Sequence, residues 1–135
     1  MSCNSAILHT ASGRSANYRV VFGVVSVPPP FLAQVIKTTE YPPWPYWHKA
    51  GVAIRGGAAP VTITVAPAFR RRVAISWGST RPVSTVTFAR CPPVDKPWNA
   101  YAGGFHLRVH TACVPLQITM GNERRLVYVG VGRRC

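Results

Sequence analysis

The chain has 135 residues, of which 47% are hydrophobic, and it carries 16 lysines and arginines against 3 aspartates and glutamates, a net charge of +13. This length and hydrophobic content predict one folded domain over residues 1–135 and argue against a disordered polyelectrolyte. No run reaches the roughly 20 apolar residues of a membrane-spanning helix. The start, Met1-Ser2-Cys3, is too abrupt for a signal peptide, so we expect a leader to have been removed ahead of Met1.

Apolar and polar residues alternate along most of the chain, a pattern typical of half-buried β-strands. In chain order, the predicted strands lie in "SAILHT", "NYRVVFGVVSV", "HKAGVAIRGG", "PVTITVAP", "RRRVAISWG", "VSTVTFARC", "VPLQITM" and "RRLVYVGVG". The turn signals "RGGAAP" and "GSTRP" separate strands, and "MGNERR" predicts a hairpin. The pattern predicts an all-β domain, a single antiparallel β-sandwich (immunoglobulin-like or related) of about 7–9 short strands, with a barrel-like arrangement as the alternative.

Residues 28–47 form a proline- and aromatic-rich segment within this domain. It contains most of "PFLAQVIKTTE" (Phe31–Glu40), which is the only helical candidate in the chain. The following "EYPPWPYWHKAG" has prolines that block regular strand pairing, which predicts a stiff, extended loop. Aromatic residues at this density either cover an open end of the sandwich, which we favour, or face a ligand. The aromatic candidates are Tyr41, Trp44, Tyr46 and Trp47.

The stretch "WNAYAGGFHLRVHTAC" (Trp98–Cys113) raises the question of whether its polar residues form a site. In a strand, His106 and His110 point to the same face as the arginine between them. The two rings then lie about 13 Å apart, too far to bind one zinc ion together. We therefore predict a solvated polar face, with Gly103 and Gly104 marking a bulge or a close backbone approach.

Four cysteines are dispersed along the chain without a C-x-x-C pair, which argues against a structural zinc site. An even number of dispersed cysteines predicts two disulfides and an oxidising compartment. Four reduced, buried cysteines in a cytosolic protein are the alternative. Of the three possible connectivities, a meander of the last strands favours Cys113 with Cys135, which leaves Cys3 for Cys91.

Three arginine clusters are the anion-binding candidates of the sequence: Arg70, Arg71 and Arg72, then Arg124 and Arg125, then Arg133 and Arg134. The first cluster is expected in a turn before its strand, because neighbours within a strand point to opposite faces. If the clusters converge, they attract a polyanion such as nucleic acid, anionic lipid headgroups or a phosphate-rich wall polymer. The alternative is a scattered, solvated cationic surface. No nucleic-acid-binding signature is present in the sequence.

The sequence argues against an enzyme. The only acids, Glu40, Asp95 and Glu123, are far apart in sequence. Few acidic residues are therefore present to form a catalytic carboxylate pair or the acid of a Ser-His-Asp triad. Neither G-x-S-x-G nor a phosphate-cradling glycine loop occurs. We predict no catalytic residue, no metal and no cofactor. A small hydrolase is the least favoured alternative, and it requires His48 or His106 to meet Asp95 in a cleft.

Four stretches that together cover most of the chain, "WPYWHKAGVAIRGGAAPVTITV", "RRVAISWG", "WNAYAGGF" and "ACVPLQITMGNERRLVYVGVGRRC", resemble a family of actinobacterial exported proteins with no assigned activity. The resemblance implies export behind an N-terminal signal or lipoprotein leader, together with disulfides, and it adds no catalytic residue. The motif residues that match are Cys3, Asn4, Ser5, Lys49, Ala50, Gly51, Trp77, Gly78, Trp98, Tyr101, Gly103, Gly104, Phe105, Val129, Gly130, Gly132 and Cys135.

These features together predict an extracytoplasmic, non-enzymatic β-sandwich module. We expect it to bind an anionic envelope component or a protein partner through its basic surface. The alternative from another class is a cytoplasmic nucleic-acid-binding protein, which would carry free thiols. The sequence does not define the oligomeric state.

Overall fold

The computed structural model of the chain describes residues 3–10, 17–78 and 81–135. Nearly all regular structure in these ranges is extended, apart from two 3-10 turns at Cys3–Ser5 and Pro67–Phe69. No helix in these ranges is long and apolar enough to cross a membrane. The strands, numbered in chain order, are β1 (Leu8–Thr10), β2 (Arg19–Val21), β3 (Val25–Val27), β4 (Phe31–Leu32), β5 (Ile36–Lys37), β6 (Tyr46–Lys49), β7 (Val52–Arg55), β8 (Val61–Val65), β9 (Val73–Ile75), β10 (Thr85–Phe88), β11 (Trp98–Tyr101), β12 (Gly104–Leu107), β13 (Ala112–Met120) and β14 (Glu123–Val131).

The strands form three sheets, and the all-β, sandwich-like prediction is confirmed. The first sheet has the order β1-β11-β7-β3-β2, the second β10-β8-β13-β14-β4 and the third β5-β6-β12-β9. Neighbouring strands are antiparallel, except that β4 runs parallel to β14. None of the sheets closes into a barrel within the described ranges. The described strands outnumber the predicted 7–9 because some predicted strands turn midway: "NYRVVFGVVSV" holds the β2–β3 hairpin, and "HKAGVAIRGG" holds β6 and β7 from different sheets.

The helical candidate Phe31–Glu40 forms no helix; the segment contributes β4 and β5 to two different sheets. Pairing with β14 overrides the local helical pattern. The N–H groups of Gly130 and Gly132 donate to the carbonyls of Pro30 and Leu32, each at 2.7 Å. Tertiary contacts of this kind commonly outweigh a weak intrinsic propensity.

Strand β8 shows why the alternating pattern predicts this fold well. Val61, Ile63 and Val65 are fully buried, whereas Thr62 and Thr64 between them are half-buried on the opposite face. Each apolar side chain that leaves water contributes on the order of 1.5–3 kcal/mol. The period of two therefore reflects one face of a sheet packed against the core.

The predicted "MGNERR" hairpin is confirmed as the connection between β13 and β14. The pairing runs from Ala112 opposite Val131 to Met120 opposite Glu123, so the loop has only two residues. Gly121 occupies the first loop position with φ of 59°, where a two-residue hairpin favours glycine. The turn predicted in "GSTRP" includes residues 79–80, which lie outside the described ranges.

The glycine pair between β11 and β12 marks a close backbone approach, as predicted. A Cβ atom on Gly103 would lie 2.6 Å from the Ser76 carbonyl oxygen and 2.7 Å from the Cα of Trp77, and φ is 153°. A Cβ atom on Gly104 would overlap the carbonyl oxygen of His48. Only glycine therefore lets the chain pass from the first sheet to the third at this point.

The prediction of a solvated polar face in this stretch is wrong for His106. Its side chain is 1% exposed because the rings of Tyr41 and Trp47 cover it, each with its centroid 4.7 Å from the imidazole. The Nε2 atom lies 2.8 Å from the Ser76 hydroxyl oxygen. Burial lowers the pKa of His106 to about 4. By contrast, His110 follows the end of β12 and is exposed.

The two disulfides join Cys3 to Cys91 and Cys113 to Cys135, which is the pairing that the meander argument favours. Their Cα–Cα distances are 5.6 and 5.2 Å, within the usual range for a disulfide. The first ties the N-terminal segment to the chain after β10. The second ties the last residue to β13.

The close approach at Gly103 gives a stability prediction. We expect Gly103→Ala to lower the free energy of unfolding more than Gly57→Ala, by roughly 1–3 kcal/mol, because the new methyl group collides with backbone. Gly57 also has a positive φ, 81°, but a Cβ there meets nothing within 4 Å, so it reports backbone strain alone. Urea unfolding at neutral pH measures both values. Equal losses from the two variants would contradict the collision.

The buried imidazole of His106 predicts a pH dependence of stability. Between pH 7 and pH 5 the unfolded chain takes up a proton, with a pKa near 6.5, that the folded protein does not bind. The free energy of unfolding should therefore fall by about 2 kcal/mol over this interval, and His106→Gln should remove most of that fall. Urea unfolding at both pH values, with His110→Gln as the exposed control, tests this. A parent-like pH dependence in His106→Gln would contradict it.

Candidate anion-binding groove

The three arginine clusters of the sequence lie in three different parts of the fold. Arg70–Arg72 follow the 3-10 turn at Pro67–Phe69 and precede β9, so the predicted turn position is confirmed. Arg124 and Arg125 begin β14. Arg133 and Arg134 follow its end. The three clusters therefore do not converge on one surface.

One member of each of the last two clusters lines a common groove of about 500 Å³. The groove lies where β2, the last strand of the first sheet, meets β14 and β4 of the second. Arg125 and Arg134 line it together with Arg19, which the sequence did not single out. Phe31 and Tyr128 supply aromatic walls, and Tyr128 is 48% exposed. We call this the arginine groove.

Arg19 joins the two sheets at the arginine groove. Its Nε and Nη2 atoms donate to the Pro28 carbonyl at 3.2 and 3.1 Å, and Nη2 also donates to the Tyr128 carbonyl at 2.8 Å. Burial lowers the pKa of Arg19, but a guanidinium titrates too high to lose its proton in a folded protein. Because its acceptors here are neutral carbonyls, the positive charge is held in place and is not cancelled.

Aromatic rings position the other two guanidinium groups. The guanidinium carbon of Arg134 lies 4.4 Å from the centroid of the Phe31 ring, and that of Arg125 lies 5.4 Å from the Phe22 ring. Both arginines are exposed. A guanidinium over a ring face keeps its edge N–H donors available, which is the geometry that phosphate and carboxylate oxygens match.

A folded-back end of β14 places Arg134 beside this groove. A Cβ atom on Gly130 would overlap the carbonyl oxygen of Arg133, so the chain can return over the strand only because a glycine is there. Gly132, with φ of 75°, allows the reversal. The disulfide from Cys135 to Cys113 fixes the returned segment against the neighbouring strand. The motif "VGVGRRC" thus encodes a short chain reversal that a disulfide holds in place.

No acidic side chain lines the arginine groove in the part of the chain that the structure describes. Glu123 comes nearest in sequence, but it is exposed at the start of β14 and does not line the groove. Glu40 and Asp95 belong to other segments. Three guanidinium groups therefore share one concave surface that no acidic side chain of the described residues lines, and such a surface attracts anions.

The remaining predicted arginines do not line the groove. Arg124 faces the outer side of β14, opposite Thr119 of β13. The guanidinium carbon of Arg72 lies 4.4 Å from the Phe69 ring, within its own turn. Sequence reasoning missed Arg19 and Phe31 because nothing local distinguishes them. The pairing of β4 with β14 brings Phe31 to the groove, and hydrogen bonds to the Pro28 and Tyr128 carbonyls hold Arg19 there.

The aromatic loop candidates lie against the third sheet. Tyr41 and Trp47 cover His106, as described above, and the Tyr46 ring packs edge-on against His110 at 4.7 Å. The guanidinium carbon of Arg108 lies 5.0 Å from the centroid of the Trp44 ring. All four rings are half-buried on a sheet face.

The two histidines named for a hydrolase have partners other than Asp95. His48 contacts the backbone oxygen of Gln34 through Nδ1, and His106 pairs with Ser76. Within the described residues, Asp95 makes no hydrogen bond to either imidazole. Across the same residues, no group of three or more histidine, cysteine, aspartate or glutamate side chains is placed to hold a metal ion.

Comparisons with protein-family profiles, with curated proteins and with solved structures find no match for this chain.

The disulfide loops predict a ranked loss of stability. The Cys3–Cys91 bridge closes 88 residues and the Cys113–Cys135 bridge closes 22. The chain-entropy relation gives about 4.6 and about 3.4 kcal/mol for these loops. We expect the Cys3→Ser, Cys91→Ser double variant to lose about 1 kcal/mol more unfolding free energy than Cys113→Ser, Cys135→Ser. Urea unfolding of the two double variants checks the order, and the reverse order would contradict it.

Proposed function

We propose that this protein is an exported, non-enzymatic binding module that holds a phosphate-bearing anionic polymer of the cell envelope in the arginine groove. The observation that carries the proposal is the convergence of Arg19, Arg125 and Arg134 without an acid among them. Phosphate oxygens accept from guanidinium groups through two parallel N–H donors, which makes arginine the favoured residue for such ligands.

Charge and shape support a polymer as the ligand. The whole chain carries a net charge of +13, which raises the local concentration of a polyanion around the groove. The groove itself provides three guanidinium groups and the exposed Tyr128 ring, so it can hold successive phosphate groups of a chain. Leu126 and Tyr128, each 48% exposed, offer apolar contact to the units between phosphates.

Export is the part of the proposal that the disulfides support. Two disulfides are compatible with an oxidising, extracytoplasmic location, and bonds of this kind are rare in the cytosol. The resemblance to exported actinobacterial proteins, carried by "WNAYAGGF" and "VGVGRRC", points to the same compartment. A nucleic acid presents the same phosphate chemistry, and the binding experiment distinguishes it by direct competition.

The groove gives a binding prediction with a matched control. We expect Arg125→Gln, Arg134→Gln to weaken binding of a poly(glycerol phosphate) chain at least ten-fold, about 1.4 kcal/mol. The control is Arg124→Gln, Arg133→Gln, which removes the same charge from neighbouring positions outside the groove and should change affinity about three-fold or less. Isothermal titration calorimetry at two salt concentrations measures the affinities of both double variants, and affinity should fall as the salt concentration rises.

Two outcomes of this experiment would overturn the proposal. Equal losses from the two double variants would mean that binding is spread over the cationic surface. Tighter binding of single-stranded DNA than of poly(glycerol phosphate) at the same salt, lost in the groove variant, would favour a nucleic-acid ligand.

A further inference from the structure

A second cavity, of about 250 Å³, lies on the outer face of the first sheet. Its floor is a row of small side chains at paired positions on three adjacent strands. Ser26 of β3 is opposite Ala53 of β7, and Ala53 is opposite Ala100 of β11. Gly51 and Ala102 extend the floor beyond the ends of β7 and β11. Five small residues in one patch leave room that larger side chains would fill.

This row faces away from the core. Alternate residues of a strand point to opposite faces, and the neighbours Val25, Val52 and Tyr101 belong to the buried core. Outward positions of a sandwich strand usually carry polar side chains that water covers. Here the outward Ser26 is only 2% exposed, so surrounding residues enclose the floor as a cavity.

The walls of the cavity are apolar and partly open to solvent. Tyr18 forms one wall, and its hydroxyl is hydrogen-bonded to the backbone of Gly51. Ile7 lines the cavity while 67% of its surface is exposed, which makes it one of the most exposed large apolar side chains of the described chain. Covering such a side chain gains about 25 cal/mol for each Å² removed from water. A ligand in the cavity would supply that cover.

One charged side chain, Lys49, lines this cavity among the residues that the structure describes. Lys49 ends β6, at the corner where the chain passes from the third sheet to the first. Glu40, Asp95 and Glu123 do not line the cavity. Among the described residues the site therefore combines an apolar floor with a single positive charge, and the complementary ligand is apolar with a single negative charge.

We propose that this cavity binds a small amphiphilic carboxylate, with its hydrocarbon over Ala53 and Ala100 and its carboxylate at Lys49. A cavity of about 150 Å³ accommodates benzene, so this one takes a chain or ring system of about eight carbons. The site shares no lining residue with the arginine groove, so each can be present without the other. Straight-chain and aromatic acids share the required chemistry, and the titration compares them.

The test is a titration of the whole ¹⁵N-labelled protein with octanoate, phenylpropionate, octanol and octylammonium, followed by amide chemical shifts. We expect octanoate or phenylpropionate to shift the amides of Ala53, Ala100 and Gly103 and to bind more tightly than octylammonium. Ala53→Leu fills the cavity from its floor and should reduce this affinity at least ten-fold. Ala89→Leu, which adds the same side chain at an exposed position outside the cavity, should leave it unchanged.

A second pair of variants isolates the charge. Lys49→Gln should weaken octanoate about three- to ten-fold and leave octanol unchanged, whereas Lys37→Gln should affect neither. If Ala53→Leu fails to fold, Ala100→Val serves as the smaller filling variant. The proposal is overturned if neither acid shifts these amides, if octanoate binds the filled variant as well as the parent, or if octylammonium binds as tightly as octanoate.

Discussion

The β13–β14 hairpin is the constraint on which the rest of the structure depends. Its strands pair along nine residues each, and the inward side chains Val127 and Val129 are at most 7% exposed. The same strand presents Tyr128 outward, receives β4 alongside it and continues into the segment that Cys135 holds. Core and groove thus share one strand. A register slip of one residue would send the valines into solvent and dismantle both.

Only one arginine of each pair at this end of the chain, Arg125 and Arg134, lines the groove. Arg125 points to the same side of β14 as the core valines but lies beyond the core, and its guanidinium carbon lies 5.4 Å from the centroid of the Phe22 ring. Arg124, one residue earlier, points to the face that also carries Leu126 and Tyr128, but it does not line the groove. Arg134 reaches the groove because the chain folds back after Gly132. The position of Arg134 beside the groove therefore depends on one chain reversal that glycine allows.

The alternation of apolar and polar residues predicts the strands and turns whose burial depends on neighbouring residues in the chain. The alternation in "PVTITVAP" and the turn at Gly121 encode β8 and the hairpin directly, because each residue's face follows from its neighbours. The local pattern of Phe31–Glu40 does not indicate β4, because its partner, β14, lies near the other end of the sequence. His106 was placed in solvent because its cover comes from Tyr41 and Trp47, outside its own strand. Arg19 escaped notice for the same reason: its role comes from Pro28 and from Tyr128 in another sheet.

The division of the two cation types between the two cavities has a chemical consequence. Every charged side chain that lines the arginine groove among the described residues is a guanidinium, while the charged side chain that lines the cavity on the first sheet is the amine of Lys49, one of only three lysines in the chain. Reagents that acylate primary amines spare guanidinium groups. Mild acetylation of the protein would therefore remove the positive charge of Lys49 at the cavity on the first sheet and leave the guanidinium charges of the arginine groove unchanged.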